Sequence, residues 1–437
     1  MLSDHYVNWF RHTSPYINAH RNKTFVVMLP GNCIEQPSFN NIVSDLSLLL
    51  SLGVRLVVVH GARPQIDRAL QDSGHCSQFH DGVRITPREQ LGDVLKAVGA
   101  MRFLLEASFS SGLPDSPMHG AKIRIRSGNF VTAMPKGVID GIDHQLTGSI
   151  RSVDAAAIQA ILNNNYMVLV SPIGYSFTGE AFNLCFSDIA ISISSAINAD
   201  KLIAYNDDGP ICDKQGRQYR ELTLLKCAKF LAEKQKHSLT NTYFALRSCQ
   251  RACDAGVNRA HVVSAAEDGA LLKELFTRDG SGTMVYRDSY ETIRRARIED
   301  VVGILGLIEP LEQQGVLVKR SRELLETEID YFIVMEKDNM IIACAALYPI
   351  QDSSLGELAC VAVNADYRNS GRAAKLLTHI ERQASRTKVK TLFALTTQTS
   401  HWFIEQGFHE SDAEFLPRSR QVLYNLQRKS KVLVKNL

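Results

Sequence analysis

The chain has no apolar run approaching the roughly 20 residues of a membrane-spanning helix, and Met1 to Phe10 show no basic segment leading into an apolar one. A membrane partner and a secreted form are therefore not expected, and the cytoplasm is the expected compartment. There is no C-x-x-C pair. The nine cysteines form an odd set that suggests neither a disulfide framework nor a zinc ribbon. Cys249, Cys253 and His261 do not have a metal-ligand spacing, buried reduced thiols are the reading of the two cysteines, and no metal is expected. An excess of one charge is also missing. With 49 basic and 46 acidic side chains the formal net charge is +3, too small to imply nucleic acid, although residues 418–435 are locally basic. No repeat period or low-complexity tract is evident. What is present is 437 residues, 45% hydrophobic and 22% charged, enough for two or three domains with sizeable cores.

From Thr24 to about Tyr286, short runs rich in β-branched residues alternate with helical segments. Phe25-Val26-Val27-Met28-Leu29 precedes a helix predicted over 39–52, and residues 54–60 precede one near 64–73. Further continuous apolar runs stand at 166–170, 201–205 and 260–263. Apolar strands without alternation, set between helices, predict a mainly parallel sheet covered on both faces. The turn Asp279-Gly280-Ser281-Gly282 then announces a change of character. A smaller unit follows, with helices expected over 299–313, 320–329, 371–385 and 400–405 and strands over 331–336, 340–348, 356–363, 391–397 and near 422–434. The expected organisation is an N-terminal helical element over 1–22, an α/β domain over 23–286, a linker over 287–292 and an α+β domain over 293–437.

One stretch of the second unit carries chemistry. The strand-like run Glu357-Leu358-Ala359-Cys360-Val361-Ala362-Val363 leads into Tyr367-Arg368-Asn369-Ser370-Gly371-Arg372-Ala373-Ala374-Lys375-Leu376-Leu377. A strand that ends in a small-residue, basic turn and opens an amphipathic helix presents backbone N–H groups and a positive dipole end. That is a seat for a pyrophosphate.

Arg368-x-x-Gly371-x-Ala373, followed by His401-Trp402-Phe403-Ile404-Glu405-Gln406-Gly407-Phe408, resembles the GCN5-related N-acetyltransferase family. The resemblance implies acetyl-CoA as co-substrate, with the pantetheine arm along Cys360, Val361 and Val363. It puts the phosphates on Arg368, Asn369, Ser370, Gly371, Arg372 and Ala373. Arg368 and Arg372 either add charge there or are surface side chains. Acetyl transfer to an amine needs the ammonium deprotonated and the departing thiolate protonated. Glu357, at the start of the strand, is the expected base. Many members of that family carry a tyrosine acid where this chain has Phe403. Thr396 and Thr397 are the expected substitutes, with unassisted thiolate departure as the other possibility.

The first domain contains Val57-Val58-Val59-His60-Gly61-Ala62-Arg63-Pro64-Gln65-Ile66-Asp67 and resembles the amino-acid kinase family. Where that family grips phosphate with Lys-x-Gly-Gly, this chain has Met28-Leu29-Pro30-Gly31. Methionine offers no charge and Pro30 no N–H, so phosphotransfer is not expected. The pairing of the two units over nearly the whole chain resembles the bacterial N-acetylglutamate synthases. That resemblance implies L-glutamate as acceptor, held by Arg320, Arg428 and Ser430. Residues 428 and 430 share one face of a strand at period two and can grip one carboxylate together; a solvated charged strand is the alternative. It further implies feedback inhibition by L-arginine, expected in the kinase-like cleft that lacks its phosphate lysine, at Tyr16, His261, Glu274, Gly280 and Gly282, and a homo-hexamer joined through the N-terminal helix. Two other functions stay open: an amino-acid-sensing protein with a degenerate transferase unit, and an acyl-amino-acid kinase with an appended transferase.

Overall fold

The structure, a computed structural model, describes residues 2–111, 123–234, 240–277, 279–287, 291–337, 340–351, 353–368, 371–387, 389–421 and 430–437. It divides into two compact units, Met1–Asp288 and Ser289–Leu437.

The first unit is built on an eight-stranded sheet. In spatial order its strands are Glu221–Thr223, Thr283–Tyr286, Arg259–Ser264, Lys201–Asn206, Thr24–Leu29, Arg55–His60, Met167–Val170 and Ile125–Ser127. Neighbours are parallel except Thr283–Tyr286 against Arg259–Ser264. Both faces are covered, which is why the strands read as unbroken apolar runs. Phe25, Val27 and Leu29 enter one core with Leu56 and Val58, and Val26 and Met28 enter the other with Val57 and Val59. The mainly parallel α/β architecture is thus the one the sequence predicts. The strand order reverses at Thr24–Leu29, with Arg55–His60 on one side and Lys201–Asn206 on the other. Ligands of open α/β sheets bind beyond the carboxyl ends of the strands at such a point.

The sequence did not reveal a second, four-stranded sheet formed by Ala181–Asn183, Ile173–Tyr175, Val131–Pro135 and Gly148–Val153. Strands this short, interrupted by glycine and proline, show too little periodicity to separate from loop. The helix Leu2–His20 is anchored at its end. His20 Nε2 lies 2.9 Å from the Leu275 carbonyl oxygen, and its ring packs against Phe25 and Phe276.

His60, at the end of Arg55–His60, is fully buried, with Nε2 2.9 Å from Ser171 Oγ. Burial pushes its imidazole down from 6.5 to about 4, against the opposing pull of the Gly61 carbonyl. A folded value below the unfolded one gives stability that is present above 6.5 and lost as pH falls toward about 4. The stability advantage of the native chain over a His60→Gln variant should therefore shrink by about 3 kcal/mol across that window, as measured by urea unfolding.

The second unit carries a seven-stranded sheet in the order Glu291–Arg295, Phe332–Lys337, Met340–Pro349, Leu355–Val363, Thr391–Thr396, Lys431–Asn436, His409–Ser411. Its first strand begins inside the stretch expected to be a linker. The helix expected from 320 starts only at Arg322, because Ser321 caps it by accepting the Leu324 N–H. Arg320 therefore sits on the preceding loop. Likewise, the helix expected from 299 is a 3₁₀ turn to Asp300 followed by Val301–Gln313. Of the expected terminal strand, Lys431–Asn436 is observed, and 422–429 lie outside the described residues.

Candidate active site

The strand Leu355–Val363 lies between Met340–Pro349, antiparallel, and Thr391–Thr396, parallel. Its pairing with Thr391–Thr396 runs only from Leu355↔Thr391 to Glu357↔Phe393. Beyond Glu357 the two strands diverge, and among the described residues no strand pairs with that edge of 358–363. On its other edge the register shifts from Ala346↔Ala359 to Cys344↔Ala362. This bulge leaves Cys360 at φ 53°, a left-handed conformation uncommon for a residue with a Cβ. As a result Ala359 and Cys360 both face the core under Val301–Gln313, and Val361 and Val363 pack on the side of Arg372–Arg386.

Glu357 stands where the strands part, and the antiparallel register puts Tyr348 directly opposite it. The carboxylate is 9% exposed, and its Oε2 lies 2.7 Å from Arg420 Nη2 as an ion pair without an aligned hydrogen bond. Burial raises its proton affinity above the ordinary carboxylate range, and the charges of Arg420 and Arg320 only partly offset that. Arg320 is fixed by its own backbone, the N–H donating to Glu312 Oε1 at 2.9 Å and Nη1 to the Val318 carbonyl at 3.2 Å. Burial works against its charge, but Cys360, Tyr348 and Glu328 around it hold its proton more tightly than usual. The Tyr348 hydroxyl donates to Glu328 Oε2 at 2.6 Å, and burial followed by that bond keeps it neutral. Chemically, this is a carboxylate able to take a proton, flanked by guanidinium groups able to hold an acid.

Of the two threonines expected near the leaving group, Thr396 spends its hydroxyl locally. It contacts Thr399 Oγ1 at 2.9 Å and accepts the Thr399 N–H at 3.1 Å. Thr397 Oγ1 is buried with no hydrogen-bond partner among the described residues. Phe403 is core, packed between Trp402 and Phe408.

The turn after the strand has the expected frame. Gly371 caps Arg372–Arg386 at φ 74°, and nothing lies within 4 Å of where a Cβ would stand. The helix is amphipathic, burying Leu376, Leu377, Ile380 and Ala384, and the N–H groups of its first turn have no partner within the helix. Ala373 is its second residue. Arg368 is exposed, with Nε 3.3 Å from the Val363 carbonyl. Arg372 differs from the expectation: its side chain pairs with Glu291 at 2.7 Å and packs on Tyr367, so what it can offer an anion is its backbone N–H. Asn369, Ser370 and Arg428 lie outside the described residues. Ser430 directly precedes Lys431–Asn436 and is half-buried.

In the first unit, four of the five residues expected at an arginine site are brought together. His261 Nδ1 donates to Glu274 Oε1 at 2.6 Å. The other oxygen of Glu274 accepts the N–H groups of Ser281 and Gly282 at 2.9 and 2.8 Å. His261 Nε2 faces Lys201 Nζ at 3.5 Å. Burial and the Lys201 charge keep His261 neutral. Burial opposes ionisation of Glu274, but the imidazole and the two backbone donors outweigh it, and the carboxyl is held below its usual range. The glycines are required here: Gly280 has φ 63°, and a Cβ on Gly282 would stand 2.2 Å from the Val262 carbonyl. Tyr16 packs on the adjoining core. One expectation needs correction. This cluster does not line the kinase-like cleft beyond Met28, which is bounded by other residues.

Sequence reasoning missed Arg420, Tyr348 and Lys201. The basic run from 418 was a signal for the first, whereas the other two follow from strand register alone.

The amino acid kinase family model matches residues 23–264, and the acetyltransferase (GNAT) family model matches residues 301–411. Proteins named amino-acid acetyltransferase from Pseudomonas putida and Azotobacter vinelandii are 52% and 53% identical over 432 residues, covering 99% of this chain and 99% of each relative. Among solved structures, N-acetylglutamate synthase from Neisseria gonorrhoeae complexed with coenzyme A and L-arginine is similar with a TM-score of 0.88. It is 34% identical, over 99% of both chains. The same enzyme complexed with coenzyme A and N-acetyl-glutamate gives a TM-score of 0.62 at 35% identity, again over 99% of both chains.

Proposed function

This chain belongs to the amino-acid acetyltransferase family, and from that premise we propose that it makes N-acetyl-L-glutamate from acetyl-CoA and L-glutamate, as a first step toward arginine, under inhibition by L-arginine. The observation that carries the reading is Glu357, buried where two strands part and beside the charges of Arg420 and Arg320.

Acetyl-CoA fits the frame. The unpaired edge of 358–363 offers an extended pantetheine arm backbone groups to bond, in the manner of an added strand. Gly371 and the first turn of Arg372–Arg386 offer the phosphates N–H groups and a positive dipole end. Glu357, with its raised proton affinity, takes the proton from the glutamate ammonium, and the freed amine attacks the thioester carbonyl. The tetrahedral intermediate collapses by breaking the C–S bond, and the proton that the attacking nitrogen then loses passes to the departing thiolate through the Thr397 hydroxyl, which takes one proton as it gives another, or through water. Arg320, with Arg428 and Ser430, holds the substrate carboxylates.

Regulation belongs to the first unit, where Lys201, His261, Glu274 and the 280–282 turn supply alternating charge to an amino acid with a cationic side chain. Exposed Val7 and Phe10 on Leu2–His20 support that helix as an assembly element of a homo-hexamer. No helix among the described residues is long and apolar enough to cross a membrane, and the cytoplasm is the proposed compartment.

Thiol release from acetyl-CoA, measured against a panel of amino acids, should be fastest with L-glutamate and much slower with lysine or leucine. Arg320→Ala should raise the glutamate KM by the equivalent of about 2–5 kcal/mol, since a carboxylate would lose its charged partner. Equal rates on lysine and glutamate would sink the substrate assignment.

A further inference from the structure

A buried ion pair of the second unit takes no part in the acetyl-transfer chemistry described above. Glu291 opens the edge strand Glu291–Arg295, just beyond Asp288, where the first unit ends. Arg372 is the first residue of the helix that follows Gly371. The side chains of Glu291 and Arg372 are only 11% and 13% exposed.

Arg372 uses its whole guanidinium. Nε donates to Glu291 Oε1 at 2.7 Å, and Nη2 donates to the same oxygen. Nη1 donates to the Tyr367 carbonyl at 3.3 Å. The guanidinium carbon lies 5.2 Å from the centroid of the buried Tyr367 ring, and Lys337, which faces Glu291 across the strand pair, places its Nζ 5.2 Å from the same centroid. Lys375, one helical turn after Arg372, sets its Nζ 3.7 Å from Glu291 Oε2.

The guanidinium is a planar, rigid fork, so engaging three of its nitrogens on two acceptors fixes its plane. One acceptor belongs to the strand by which the chain enters the unit, and the other is backbone at the start of the basic turn. The side chain thus ties the first turn of Arg372–Arg386 to the sheet edge and to Tyr367 at once. Because Glu291 meets its charge, Arg372 acts on a bound anion through geometry more than through attraction. Burying such a pair is weak support for stability, since apolar residues of similar volume often serve as well. Direction is what an apolar pair cannot supply. N–H groups bond an anion well only over a narrow range of angles, and a turn held in place beforehand spares the ordering that binding would otherwise require.

We propose that Glu291 is a positioning residue for acetyl-CoA. Through Arg372 it holds the first turn of Arg372–Arg386 and the Tyr367 backbone in the arrangement that receives the pyrophosphate, so affinity for the co-substrate is set from the strand that enters the unit. The assignment rests on the acetyl-transfer reading of the site and adds to it a residue that works through another.

Thiol release by the full-length protein, followed with acetyl-CoA and with S-acetyl-pantetheine, tests this. The second thioester has the same acetyl group and arm but no pyrophosphate. Glu291→Gln, which keeps the side-chain volume, and Glu291→Ala should each raise the acetyl-CoA KM by about tenfold, with kcat and the glutamate KM little changed. Both should use acetyl-pantetheine as the native protein does, which also verifies that they fold. Arg372→Ala, which retains the backbone N–H, should give a similar rise, and Glu291→Ala/Arg372→Ala no further one, because the two side chains act as a unit. Calorimetry with CoA alone should show the same loss of affinity. An acetyl-CoA KM unchanged or lowered in both Glu291 variants would overturn the proposal, and so would an equal loss with both thioesters. Native protein that releases thiol from neither thioester with any amino acid would overturn the acetyl-transfer reading itself, and the proposal with it.

Discussion

Glutamine at position 357 should lower turnover by about 10²–10⁴-fold, the usual range for a positioned general base, with the glutamate KM changed far less. Glutamine keeps the volume, so the loss isolates proton transfer from packing. The pH profile provides a second readout. Burial, only partly offset by Arg420 and Arg320, places the Glu357 carboxyl above its ordinary value of 4.5, and the base works only when ionised. The native rate should therefore climb with pH through a value above that of a free carboxylate, and the limb should vanish in Glu357→Gln. Near-native turnover in the variant, with the limb intact, would remove Glu357 from the chemistry.

The second large effect concerns regulation. Alanine at position 274 should abolish arginine inhibition, a coupling typically equivalent to about 1–3 kcal/mol, and leave the uninhibited rate close to native. Both oxygens of Glu274 are engaged, with His261 on one side and the N–H groups of Ser281 and Gly282 on the other. Its removal strips the 280–282 turn of the anion that organises it. The same loss leaves buried donors unpaired, at about 1–3 kcal/mol each, so the thermal midpoint should fall too. Calorimetry with arginine, beside initial rates with and without it, checks both halves. Unaltered inhibition in the variant would place the effector elsewhere.

Much of the second unit was legible because its elements carry strong local signals. Leu376, Leu377, Ile380 and Ala384 repeat at helical spacing on Arg372–Arg386, and Gly371 marks the cap. The parallel sheet of the first unit was legible for a comparable reason, since strands buried on both faces read as unbroken apolar runs. What escaped depends on register. Tyr348 faces Glu357 because the antiparallel pairing happens to bring them opposite, and no sequence spacing encodes that. Arg420 reaches Glu357 across 63 positions in sequence. The merging of the Glu274 cluster with the cleft beyond Met28 failed similarly: His261 lies mid-strand in Arg259–Ser264, away from the strand ends that bound the cleft. For Arg372 the sequence left two roles open, and only the pairing of its side chain with Glu291 separates them, leaving the backbone N–H for an anion.

The bulge at Cys360 leaves a thiol on the strand proposed to hold an acyl thioester, where acetyl exchange onto cysteine would trap the enzyme in a modified form. Burial above all pushes that thiol up to about 12, against the pull of Arg320. At neutral pH the group therefore stays a thiol, and the thiolate is the form that attacks thioesters. The fold thereby guards against self-acylation by burying the thiol in the core under Val301–Gln313 and by withholding its ionisation.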